Sequence, residues 1–159
     1  MMITKQASAL KGLLQKQPVA ALGTLHAGRP FVSMVPFALL PDGSAIVIHV
    51  SHLASHTKDM MENPSVSLMV MAPATPELSP QEQPRVTIQG QAVACDASDP
   101  AYAQTNAVYV ERFPQSSAMF EFADFQLFVI QPTSARFVGG FASATTLTSG
   151  ELANALRSE

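Results

Sequence analysis

The sequence predicts a mainly β protein, a small antiparallel barrel with short helices attached. Three observations predict it. Runs that alternate apolar and polar side chains dominate the chain, helical runs are few and short, and neither a βαβ alternation nor a glycine-rich dinucleotide turn is present. At 159 residues the chain fits one domain, long enough to bury about two-thirds of its unfolded surface in a single core.

The elements follow in order. Residues 2–16 place Ile3, Ala7, Leu10, Leu13 and Leu14 at helical spacing, and Pro18 ends the run, which gives an N-terminal amphipathic helix within 1–17. From Val19 to Val50, VAALGTLHAGRPFVSMVPFALLPDGSAIVIHV reads as three strands joined by turns at HAGRP and LPDGS. Leu53 to Asn63 spans three helical turns before Pro64, and SVSLMVMA then alternates as a strand. PATPELSPQEQP, with four prolines in twelve residues, is a loop. In RVTIQGQAVAC the polar set Arg85, Thr87, Gln89 and Gln91 alternates with Val86, Ile88, Gly90 and Ala92, so one face of that strand is polar. Residues 98–112 read as a helix with Pro100 near its start, QSSAMFEF as a shorter one, and DFQLFVIQP and ARFVGGFASA as two strands. Thr148 or Ser149 caps a last helix over 148–159. One domain therefore covers 1–159, with its barrel over 18–144.

Composition bounds the function. Hydrophobic residues make up 47% of the chain and charged residues 13%, which places part of the apolar surplus in a subunit interface or ligand cavity, so an oligomer is expected. The net charge of −3, with only Lys58 and Arg85 as cations between Arg29 and Arg112, argues against a nucleic-acid partner. The single cysteine, Cys95, excludes an internal disulfide. Lys5, Lys11 and Lys16 interrupt the N-terminal stretch, and no apolar run approaches about 20 residues, so neither a signal peptide nor a membrane span is expected, and the cytoplasm is the expected location.

HVSHLASHT, from His49 to Thr57, holds three of the four histidines. In a metal reading, His52 and His56 sit four apart on one helix face with His49 as a third ligand, but no glutamate lies between them in the pattern a zinc hydrolase needs. In an anion reading, the helix start offers unpaired N–H groups and the positive dipole end, and Ser51, Ser55, His56, Thr57 and Lys58 add donors. In the plainest reading Ser51 only caps the helix and the histidines are solvated.

The order of these elements, with a Gly-x-Pro hairpin, Ser-x-x-Pro-Phe, Ser-x-Leu-Ala-x-His and Asn-Pro-x-Val-Ser-Leu, resembles the FMN-binding split barrel of the pyridoxamine 5′-phosphate oxidase superfamily, closest to its HugZ/HutZ-type haem-utilisation branch. The resemblance covers most of residues 18–144 and implies a homodimeric Greek-key split barrel of six to seven strands, with FMN in a groove between subunits. It implies an FMN phosphate at Ser33, Ser55, His56 and Thr57, next to the Lys58 of the anion reading, a ring beside Val50 and Ser51, and a cofactor contact from Arg85. On this view the chain is a flavin-dependent oxidoreductase of unknown substrate and unassigned catalytic residues. The alternative is a haem-binding protein without flavin chemistry. Where the oxidases carry Arg/Lys pairs for the phosphate, this chain has Ser33 and Ala38, then Ser55 and His56; no histidine follows His56 to serve as the tail ligand of the haem branch.

Overall fold

The computed structural model describes residues 2–140 and 142–157. A helix, α1 (Thr4–Lys16), leads into β1 (Val19–His26), β2 (Arg29–Pro36), β3 (Ala38–Leu39) and β4 (Ile46–Ser51). Helix α2 (Ser55–Glu62) precedes β5 (Ser65–Met71), and β6 (Arg85–Cys95) is followed by α3 (Tyr102–Arg112) and a 3-10 segment at Pro114–Glu121. The chain continues through β7 (Phe125–Val138), β8 (Ala144–Thr148) and α4 (Ser149–Arg157). The strands form one antiparallel sheet in the order β2-β1-β5-β6-β7-β4-β3, with β8 also on β7, curled into a split barrel.

Local chemistry explains the joints. Ala27 and Gly28 turn β1 into β2 with φ of 50° and 76°, the mirror-type turn that matches strand twist, and His26 pairs directly with Arg29. The longest pair, β6 and β7, carries a register break at Gln89/Gly90, where Gly90 faces Pro132. A Cβ on Gly90 would come within 2.5 Å of the Gln131 carbonyl oxygen, so only glycine admits this approach, and the proline's missing N–H falls at the bulge where the ladder is already interrupted. Thr148 closes the last joint: its hydroxyl accepts the Glu151 N–H while the Glu151 carboxylate accepts the Thr148 N–H, a capping box.

Several expectations are corrected. In place of the two strands expected over 124–132 and 135–144, one long strand, β7, runs from Phe125 to Val138 and the return strand β8 begins at Ala144, since Pro132 is accommodated at the bulge instead of ending a strand. The second expected strand divides at Phe37, whose fully buried ring turns the chain inward between β2 and β3. Ile3 caps α1 and is 62% exposed, whereas Ala7, Leu10, Leu13 and Leu14 are buried as their spacing predicts. Residue 141 of the expected final strand and residues 158–159 of the expected last helix lie outside the described residues. None of the described helices is long and apolar enough to cross a membrane.

Two apolar clusters flank the sheet. The larger joins α1, α4 and the inner faces of most strands, with Leu22, Ile48, Ile88 and Phe137 fully buried. The smaller gathers Ala38, Val47, Cys95, Tyr109 and Leu127 beneath α3. Arg112 ties α3 to α1 by donating to the carbonyl oxygens of Leu14 and Gln17, with its guanidinium over the Phe37 ring. Helix α2 links β4 to β5, which lie apart in the sheet, and packs across β1. That crossing creates the corner where the predicted residues gather.

Candidate functional site

The inner face of the β1–β2 hairpin presents Leu22 beside Ser33, Thr24 beside Phe31 and His26 beside Arg29, because directly opposed residues of an antiparallel pair share a face. Helix α2 lies against this row. His56 Nδ1 meets the Ser33 hydroxyl at 3.1 Å, joining two of the predicted residues. Thr57 is buried, and its hydroxyl donates to the Ser51 carbonyl at 2.6 Å, locking the strand to the helix. The Ser51 hydroxyl accepts the Leu53 N–H at 3.1 Å, so it shapes the approach to the helix and does not cap it. Ser55 and Lys58 are exposed at the first turns of α2.

Two predicted residues stand apart from these polar contacts. The Val50 side chain is buried in the larger core. Arg85 pairs with Val138 at one end of β7, whereas Ser51 pairs with Phe125 at the other, and the Arg85 guanidinium donates to the carbonyl oxygens of Gln81 and Gln83.

The histidine stretch divides. His49 points away from the corner, 8% exposed, stacked on Phe120 at 3.8 Å with its ring edge toward Tyr109. Burial pushes its imidazole down to about 4 and the Tyr109 phenol up to about 12. His52 precedes α2, so it does not share a helix face with His56. Among the described residues, no three His, Cys, Asp or Glu side chains come together as a metal site.

The sequence reading missed the strongest polar contact in this corner. Asp59, 3% exposed on α2, accepts the Thr24 hydroxyl at 2.8 Å on one oxygen and meets His26 Nδ1 at 2.7 Å on the other. Burial works to raise its carboxyl, yet the bonds from His26 and Thr24, with the fields of His26 and His56, hold it below the usual carboxylate range. His56 is held below its ordinary value by burial, opposed by the charge of Asp59. The missed signal was the row itself: Thr24 and His26 continue the core-facing positions of Ala20 and Leu22, and buried polar groups on such a row require a partner. His26 stays open, its side chain 56% exposed in a shallow cleft with Arg29, Pro30 and Phe31.

Comparison with known proteins places this arrangement. The profile described as Pyridoxamine 5′-phosphate oxidase matches residues 7–139. The chain is 37% identical over 128 residues to the chloroplastic heme oxygenase HOZ of Arabidopsis thaliana, covering 79% of this chain but only 36% of that protein. It is 30% identical over 145 residues to the heme oxygenase HutZ of Vibrio cholerae, covering 90% of this chain and 81% of HutZ. Among solved structures, a heme binding protein from Mycobacterium smegmatis superposes with a TM-score of 0.84 at 25% identity, covering 97% of this chain and 62% of that one. The structure of HutZ superposes with a TM-score of 0.71 at 29% identity, covering 79% of this chain and 88% of HutZ. The split barrel, the profile over most of its length and the shared sequence with HutZ together make this chain a member of the pyridoxamine 5′-phosphate oxidase family, on its HutZ-like branch.

Proposed function

We propose that this chain binds haem at the corner where α2 crosses the β1–β2 hairpin, and that it serves haem utilisation. The carrying observation is the character of the corner. Its polar contacts come from hydroxyls, imidazoles and the buried Asp59 carboxylate, with Ser33 on His56 and Thr57 closed onto backbone, while its edge strand exposes Phe31 on the same face. A dianionic phosphate is held best by charge-assisted bonds from Arg or Lys. A haem asks instead for a flat apolar surface and donors for two singly charged carboxylates. The residues present fit that demand: Phe31 offers an apolar face on the row that carries Ser33, and the Ser33–His56 pair offers donors. The names of HOZ, HutZ and the mycobacterial protein support the same ligand. Bound haem supplies the iron on which oxygen chemistry runs, and the protein supplies its orientation and electrostatics.

FMN is the second reading, favoured by one feature: the Ser33–His56 pair and the Ser55 hydroxyl lie at the N-terminus of α2, where backbone N–H groups attract a phosphate. On either reading, a second copy of this chain covers the outer face of β2, β1 and β5. There Met34, Ala21 and Met69 form one row, next to another of Val32, Gly23 and Ser67, and Val32 and Met34 are 69% and 61% exposed. Parallel titrations with haemin and with FMN, alongside light scattering, test the proposal. Saturable growth of a Soret band on a particle of two chains is the expected result. A yellow protein that retains flavin and gives no Soret change would replace the haem reading with the FMN one.

A further inference from the structure

Haem iron needs a donor atom at its axial position, and the four histidines differ sharply in what they offer. His49 is enclosed by Phe120, Phe125 and Tyr109. His56 uses Nδ1 on the Ser33 hydroxyl, a neutral partner. Among the described residues, His26 is the histidine whose ring nitrogen meets a carboxylate, at 2.7 Å. The Asp59 carboxylate already accepts the Thr24 hydroxyl on its other oxygen, and an ionised carboxylate only accepts, so Nδ1 of His26 is the protonated nitrogen. The Nε2 lone pair is thereby left for a ligand. A carboxylate behind an imidazole fixes the tautomer and ring orientation and raises the basicity of the opposite nitrogen, which is how metal-ligating histidines are ordinarily supported. The side chain is open to solvent, and its cleft places Phe31, whose ring centroid is 5.5 Å from that of His26, and Arg29 beside it. A planar apolar ligand with carboxylate edges suits those neighbours.

We propose that His26 is the axial ligand of the haem iron, presented by the buried Asp59 and Thr24. The inference rests on the haem reading above and deepens it. Asp59 is a positioning residue: it acts on the iron through His26.

Haemin titration of the full chain and its variants, read by absorption and by resonance Raman of the ferrous complex, tests it. Wild type should show an iron–histidine stretching band. His26→Gly should lose that band, and added imidazole should restore it. Asp59→Asn should keep the ligand, lower the stretching frequency and weaken haemin binding by about tenfold. His52→Ala should leave the band unchanged. Wild-type Soret binding with the band intact in His26→Gly, or lost instead in His52→Ala or His56→Ala, overturns the assignment and leaves the haem reading standing. No Soret binding by wild type overturns both. Long-range ¹H–¹⁵N correlation on the ligand-free protein adds a reading independent of haem: an Nδ1-protonated His26 supports the dyad, and an Nε2-protonated one overturns it.

Discussion

Two histidines of the same sheet live under opposite conditions, and the contrast separates a structural histidine from a chemical one. His49, on β4, is packed among three aromatic rings with no carboxylate of the described residues against it, and burial keeps it neutral. His26, at the end of β1, is more than half exposed, yet a buried carboxylate grips it from behind. Burial without a partner makes an imidazole an inert ring, whereas exposure backed by a buried acid leaves one nitrogen anchored and the other available. Position in sequence suggests the reverse, since His49 belongs to the histidine-rich stretch and His26 stands alone in a turn.

The largest effect expected from breaking this contrast is at His49. His49→Ala should destabilise the fold by about 3 kcal/mol, through a cavity beneath Phe120, as read by chemical denaturation. At the other histidine the weight lies on the acid. Asp59→Ala should lose about 2 kcal/mol because the buried Thr24 hydroxyl is left without its acceptor, while His26→Ala, removing an exposed ring, should lose only about 1 kcal/mol. Equal losses from the two variants would erase the distinction.

The comparison sharpens with pH. His49 titrates at about 4 when folded against an ordinary 6.5 when unfolded, so between those values the unfolded chain binds a proton that the folded chain does not. Its contribution is complete above about pH 6.5 and is lost as the pH falls toward 4. His56, also held low by burial, acts in the same direction. His49→Phe should therefore flatten the acid limb, retaining about 2 kcal/mol more than wild type near pH 4 relative to neutral pH in denaturation series. A limb unchanged by the substitution would assign the acid sensitivity elsewhere.

Much of the barrel was legible because its signals are local. The HAGRP turn, the alternation of Arg85 to Ala92 and the TSGE capping pattern each specify a geometry within a few residues. The Ser33–His56 contact became legible through the resemblance, which brings distant segments together by order. The Asp59 dyad did not, since it joins residues 33 and 35 positions apart across a strand-to-helix crossing that no periodicity encodes. The continuity of β7 was hidden for a similar reason. Pro132 reads as a strand breaker until Gly90, on another strand, supplies the gap that accommodates it.

That gap reaches beyond one ladder. On one side of Gly90, β6 and β7 line the large core through Val86, Ile88 and Phe137; on the other they serve both clusters, with Ala92, Phe128 and Ile130 facing the large core and Cys95 and Leu127 the small one. The absence of a single methyl group thus keeps the longest strand pair closed where it serves both clusters, and any side chain at position 90 would push β6 from β7 at that point.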